Sequence, residues 1–262
     1  MKKNLIIILL AGTNILLSQN DIETKKFNMA GNINISNNGF SLIPLFSLGE
    51  PATVIDISFG NDRLTFNPSF SFELNGLKPW IFDFRWNYKL IKEEKYNVSL
   101  GLFLPGLFFR NTTFEKNGDE LEGVLTWVSI VSTLNFSYLF SDNFSLGIFY
   151  FKPSPIQKID PEQPKKASVL SIKSSFRNLK ISESIKINWN PELYFPRIDE
   201  KSGSFVAQSV SIQFKNLPVS FSSNMNKALD FGNFTGKQFD WNVGINYSFN
   251  NTFVKKKKNK NP

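Results

Sequence analysis

The chain has 262 residues, no histidine, no cysteine and a formal net charge of +8. Lacking both residue types, it excludes Ser-His-Asp hydrolysis, histidine-ligated haem, thiol chemistry and the usual zinc sites. Lys2, Lys3 and the five lysines within 255–260 carry seven of the eight charges. A basic run at a terminus is a solvated tail, so nucleic acid is not an expected partner.

Residues 1–18 read as a signal peptide. Lys2 and Lys3 precede an apolar run from Leu5 to Leu17 that ends near Ser18 and Gln19. Gly12, Thr13 and Asn14 interrupt the run, and it falls short of the roughly 20 residues that span a bilayer as a helix. A periplasmic segment is assigned to 19–26, a barrel to 27–253 and a basic periplasmic tail to 254–262.

From residue 27 onward the chain alternates. Between Trp80 and Leu90 every even position is large and apolar, whereas Asp83, Arg85, Asn87 and Lys89 hold odd positions. Successive side chains of a strand point to opposite faces, so this segment has one greasy face and one wet face. Such segments fall within 27–48 and near 53–60, 63–74, 80–91, 96–109, 121–140, 144–152, 168–176, 179–190, 203–214, 217–226 and 239–249. Two strands within the first, Phe27–Ile35 and Phe40–Leu48, would make thirteen and start the chain on the wrong face. With one crossing, which parity favours, Asn37, Asn38 and Gly39 mark either a bend in one long strand or a short stretch inside the lumen. No later run is apolar enough for a membrane helix, and nothing between the segments reads as a covering helix. The expectation is all-β: a single closed antiparallel transmembrane barrel of about 12 strands, with lipid outside and water within.

Connection lengths support the same reading. Those at 110–120, 153–167, 191–202 and 227–238 are long, and those at 141–143, 177–178 and 215–216 are short. Long and short alternate through the second half, which places every long loop on one face and the end of the last strand on the other. Trp80 and Trp86 are expected to point outward as interfacial aromatics.

Taken together, these residues resemble the outer-membrane β-barrel proteins of Gram-negative bacteria. The stretch from Gly39 to Ala52 (GFSLIPLFSLGEPA), with the strand after it, resembles the opening of an uncharacterised porin-like group. The resemblance implies an outer-membrane location with both chain ends in the periplasm. It also implies a closing aromatic near the C-terminus, for which Phe249 and Phe253 are candidates. It carries no catalytic residue across.

If the apolar face meets lipid, the lumen is lined by Ser and Asn, including Ser69, Ser71, Asn87, Ser99, Ser182, Asn188, Asn242 and Asn246. The charged lumen-lining candidates are Asp56, Glu73, Asp83, Arg85, Lys89, Lys173, Lys180, Lys186 and Asp240. Asp56, Glu73 and Asp83 fall on the second to fourth strands, with Lys173, Lys180 and Lys186 about half a circumference away. Either the two walls impose a transverse field on solutes, or the charges pair with neighbours and fill the bore. Glu183 is expected on the lipid face, where a charge is unfavourable. No cofactor, metal or enzymatic activity is expected. The expected partners are outer-membrane lipid and small polar solutes, with the oligomeric state open. Two functions stay open: a narrow porin-like channel, or a filled barrel that displays its outer loops for binding.

Overall fold

The computed structural model describes residues 26–43, 46–116, 118–157 and 160–254. The signal peptide at 1–18, most of the 19–26 segment and the lysine tail from Lys255 lie outside the described residues. The strands are β1 Lys26–Ser36, β2 Ala52–Gly60, β3 Leu64–Glu73, β4 Pro79–Lys92, β5 Tyr96–Lys116 and β6 Asp119–Ser141. They continue as β7 Phe144–Pro155, β8 Ala167–Lys180, β9 Ile185–Ile198, β10 Lys201–Ser202, β11 Ser204–Phe214, β12 Val219–Asp230 and β13 Phe239–Val254. Each pairs antiparallel with its neighbour, and β1 closes on β13 from Lys26↔Val254 to Ser36↔Gly244. The two-residue β10 only clips the end of β9. The result is a closed ring of 12 strands with one short addition. Closure leaves no open sheet edge for lipid to meet.

Two rims follow from this order. Lys26 and Val254 pair at one rim, together with the turns at 61–63, 93–95, 142–143, 181–184 and 215–218. Asn supplies a left-handed backbone at Asn216 in the 215–218 turn and at Asn178, in a β8 irregularity beside the 181–184 turn (φ 64° and 52°), because its short polar side chain tolerates that region. The connections after β1, β3, β5, β7, β9 and β12 all lie at the opposite rim, as their lengths foretold for the second half.

The outer face is apolar. Leu100, Leu134, Ile148, Ile172, Val243 and Ile245 are all exposed on it. Near the Lys26–Val254 rim an aromatic ladder crosses four strands. Its ring centroids are 5.3 Å apart for Phe140–Phe144, 4.8 Å for Phe144–Phe176 and 5.1 Å for Phe176–Trp189. Phe72, Phe82 and Phe109 form a second cluster toward the other rim. Exposed leucine and isoleucine at mid-height, banded by aromatics, is the surface of a barrel solvated by lipid.

Four expectations are corrected. The 110–120 loop is instead a continuation of the β5–β6 ladder up to Lys116↔Asp119. It projects as a ribbon beyond the last β4 and β7 partners, Ile81 and Pro155. The 191–202 loop is mostly strand, since β9 runs through Pro191 and Pro196 to Ile198. Those prolines each remove one ladder donor, but the strand continues past them. Glu183 does not face lipid; it sits exposed in the β8–β9 turn, because β8 ends at Lys180 and β9 begins at Ile185. Trp80 does not point outward. Ser71 pairs with Ile81 but Phe72 pairs with Pro79, so Trp80 is the extra residue of a bulge and turns inward, 4% exposed. Two residues opposing one reverses the alternation locally.

Candidate functional site

The first long connection does not stay at its rim. Asn37, Asn38 and Gly39 turn the chain into the lumen, and the backbone closes on itself through Gly39 N to Glu50 O (2.7 Å) and Leu48 N to Gly39 O (2.8 Å). Side chains from four strands then hold this segment. Asn38 Nδ2 donates to Asp240 Oδ1 at 2.8 Å, and Asn242 Nδ2 donates to the Asn38 carbonyl at 3.1 Å. The Leu42 carbonyl accepts from the Tyr194 hydroxyl and from Asn226 Nδ2. Trp80 Nε1 donates to the Phe46 carbonyl at 3.0 Å. Of the two readings for Asn37 to Gly39, the stretch inside the lumen is the one realised.

Apolar packing fixes the same segment. Ile43 buries with Val169, Tyr194, Ile198 and Phe205. Tyr194 and Phe205 stack at 5.1 Å, and Phe231 and Phe234 of the β12–β13 connection both pack edge-on against Phe205. Gly232 lets this connection approach: its φ is +53° and an added Cβ would fall 1.9 Å from the Ser202 carbonyl. The lumen is therefore obstructed toward the long-loop rim.

Two cavities flank the inward segment. One, of about 430 Å³, runs along β1–β2 and β11–β13 and is lined by Asn34, Ser211, Ser222, Asn224, Asn242 and Asn246. These side chains bond across strands: Asn34 to Asn246 at 2.9 Å, Asn246 to Ser222 at 2.9 Å and Asn224 to Asn242 at 2.9 Å. The second, of about 550 Å³, lies along β4–β9 and is walled chiefly by Phe46, Phe103, Phe108, Trp127, Phe149 and Phe151. Asp83, Arg85, Lys173 and Glu192 give it a polar edge.

The candidate charges divide accordingly. Asp56, Asp83, Arg85 and Lys173 line the cavities. Arg85 bridges Asp56 at 3.2 Å, and Lys173 lies 3.5 Å from Glu192 Oε1. An acidic wall opposing a basic wall is thus not what these residues build, since each cation has its own carboxylate within one or two strands. Lys173 Nζ also lies 4.0 Å from the Phe149 ring centroid. Asp240 is buried and spent on the Asn38 tether. Lys180 and Lys186 pair with each other in register beside the β8–β9 turn and are exposed at the rim rather than mid-strand. Glu73 closes β3 at the long-loop rim, and Lys89 lies near the opposite one, half-buried.

The β7–β8 connection corrects a further expectation: Asp160, Pro161 and Glu162 read in sequence as a solvated loop tip, but Asp160 turns inward. Asp160 is buried, accepts from Trp127 Nε1 at 2.8 Å and lies 3.4 Å from Arg110. The Glu162 backbone N–H donates to it at 2.9 Å. That bond, with Trp127 and Arg110, holds its carboxyl below the ordinary 3.8 despite burial. The following Gln163 and Pro164 line the apolar cavity.

No family model and no curated protein matches the chain. Solved structures do match it in fold. The KdgM porin superposes with a TM-score of 0.52 at 10% identity, over 84% of this chain and 99% of its own. The NanC porin gives 0.51 at 11% identity, over 83% and 98%. LpxR from Salmonella typhimurium gives 0.50 at 9% identity, over 83% and 99%. The fold is that of an outer-membrane β-barrel. At such identities the likeness speaks for architecture alone, so what passes through or binds to the barrel rests on its own lining.

Proposed function

We propose that the chain is a bacterial outer-membrane channel of narrow, porin-like type for small solutes, with the Lys26–Val254 rim toward the periplasm. The observation that carries this reading is the Ser- and Asn-lined cavity beside the inward segment. A neutral hydrogen-bonding wall of this kind hydrates a small solute without trapping it, whereas a barrel packed solid leaves no such space. The absence of histidine and cysteine from the sequence favours passage over catalysis. Conductance in planar bilayers tests the reading: small, steady channels are expected, enlarged when residues 40–47 are replaced by a short Gly-Ser linker. Silence from both proteins would remove it.

A second reading has its own support. The stack of Tyr194 on Phe205, covered by Ile43, Phe231 and Phe234, obstructs the lumen toward the long-loop rim. A barrel closed there serves to hold the β5–β6 ribbon and its neighbours at the surface for binding. In that case the wild-type protein conducts nothing and only the linker variant opens.

A further inference from the structure

The apolar cavity is unlike the rest of the lumen. Its volume of about 550 Å³ lies within the range of small-molecule sites, which are mostly hydrophobic with a few polar groups that fix orientation. Phe103 and Phe108 face it from β5, Trp127 from β6 and Phe149 and Phe151 from β7, with Phe46 of the inward segment against Phe108 and Trp127. Nothing in a passage for polar solutes calls for six aromatic rings around one cavity.

Its polar edge indicates what a ligand brings. Arg85 is already paired with Asp56, and Lys173 faces both Glu192 and the Phe149 ring. An anionic ligand would meet Asp83 and Glu192, while a cationic one would meet Arg85 and Lys173. Neither sign gains a net partner. Yet two buried donors on lining residues have no hydrogen-bond partner among the described residues: Arg85 Nε and Gln163 Nε2. Glu192 Oε1 is not a third such atom, because the Lys173 ammonium lies 3.5 Å from it. A buried polar atom left alone costs about 1–3 kcal/mol, and a neutral oxygen that accepts would relieve that cost at one of them without adding charge.

We propose that this cavity binds an uncharged, largely apolar small molecule, aromatic or alicyclic, that ends in a hydroxyl. The ring body lies among Phe46, Phe103, Trp127 and Phe149, and the hydroxyl oxygen accepts from the Gln163 side chain. The inference rests on the channel reading in one respect: it names the solute class that this half of the lumen selects.

Fluorine NMR of the purified full-length barrel in detergent micelles tests it. The probe is (6-fluoronaphthalen-2-yl)methanol, compared with the carboxylate and methylammonium of the same ring, with signals from empty micelles subtracted. Saturable binding of the alcohol is expected, at least tenfold tighter than either charged analogue. Ser129→Trp, which fills the cavity from β6, should abolish it. Should that variant fail to fold, Gln163→Leu serves instead and should weaken binding about three- to tenfold, the value of one neutral hydrogen bond. Micelle-like, unsaturable uptake by the wild type would overturn the proposal, as would a charged analogue binding equally well or a Ser129→Trp protein that binds undiminished. Swelling of proteoliposomes in a small neutral sugar separates the two readings, because it follows the polar passage and is independent of this cavity.

Discussion

The hydroxyl of Tyr194 donates to the carbonyl of Leu42, so a residue of the ninth strand holds a segment that left the first strand 152 positions earlier. Asn226 Nδ2 reaches the same oxygen at 2.8 Å from β12. One carbonyl thus ties β9 and β12, which flank β11, to the obstruction in the lumen. Tyr194→Phe keeps the stack on Phe205 and removes only the donor. It is expected to cost about 1 kcal/mol and to leave the barrel intact. Adding Asn226→Ala should release the segment, seen as noisier and larger unitary currents in bilayers. Currents identical to wild type in the double variant would show that apolar packing alone seats the segment.

The pairing inside the lumen assigns the charges unequal weight. Lys173 is half-buried beside Glu192 in the bore, whereas Lys186 is exposed beside a turn. An ion in a poorly screened lumen feels a charge change far more than at a rim, where salt shortens its reach to about 8–10 Å. Lys173→Glu is therefore expected to shift reversal potentials toward cation preference under a salt gradient. Lys186→Glu should shift them little. Equal shifts would place the resistance at the short-turn rim.

The strand plan was legible in the sequence because lipid and water impose opposite chemistry on the two faces at every second residue. That regularity gave the number of crossings and the rim to which each long connection belongs. Trp80 was misplaced because a bulge reverses parity with no local signature beyond the Pro79 before it. Lys180 and Lys186 were set on one strand at 179–190 because Leu179, Ile181 and Ile185 continue the alternation through what is a turn at 181–184. The apolar cavity was hidden more deeply. Phe103, Phe149 and Phe151 face inward, and a rule that sends every aromatic to lipid cannot find a lumen that keeps some for itself. Asn37, Asn38 and Gly39 were the one visible sign of the inward segment.

The outer surface makes a sharp demand on Ile148. It is 50% exposed, pairs with Phe136 and Ile172, and lies several residues inside the aromatic ladder. Arginine on the lipid face costs about 2–4 kcal/mol near the bilayer midplane and little at the interface. Ile148→Arg should lower stability by that amount in reversible urea unfolding from lipid vesicles. Asp142→Arg, exposed in a turn, should be nearly silent. A neutral result at Ile148 would mean that this face does not contact lipid.

Orientation is open to a direct chemical test, and the chain has no native cysteine to interfere. Glu120→Cys places a thiol near the end of the β5–β6 ribbon, and Asp142→Cys places one in a turn of the opposite rim. With the Lys26–Val254 rim in the periplasm, an impermeant maleimide should label the first on intact cells and the second only after lysis. The reverse pattern would invert the barrel.

Asp160 makes the β7–β8 connection sensitive to acid. Its carboxyl titrates below 3.8 because Glu162, Trp127 and Arg110 favour the charged form. A group whose folded value is depressed contributes its stability above the unfolded value and loses it as pH falls through the folded one. The connection should therefore stay docked at neutral pH and loosen only below about 3.8. Pepsin is active in that window, and its cleavage within 156–166 should rise steeply as pH drops, while cleavage at 142–143 changes little. Asp160→Asn removes the titration, so its cleavage should be high and flat across the same range. Asp160→Ala also leaves Trp127 Nε1 without an acceptor and should cost about 1–3 kcal/mol. A flat wild-type profile would mean that packing, rather than this carboxylate, holds the connection against Trp127.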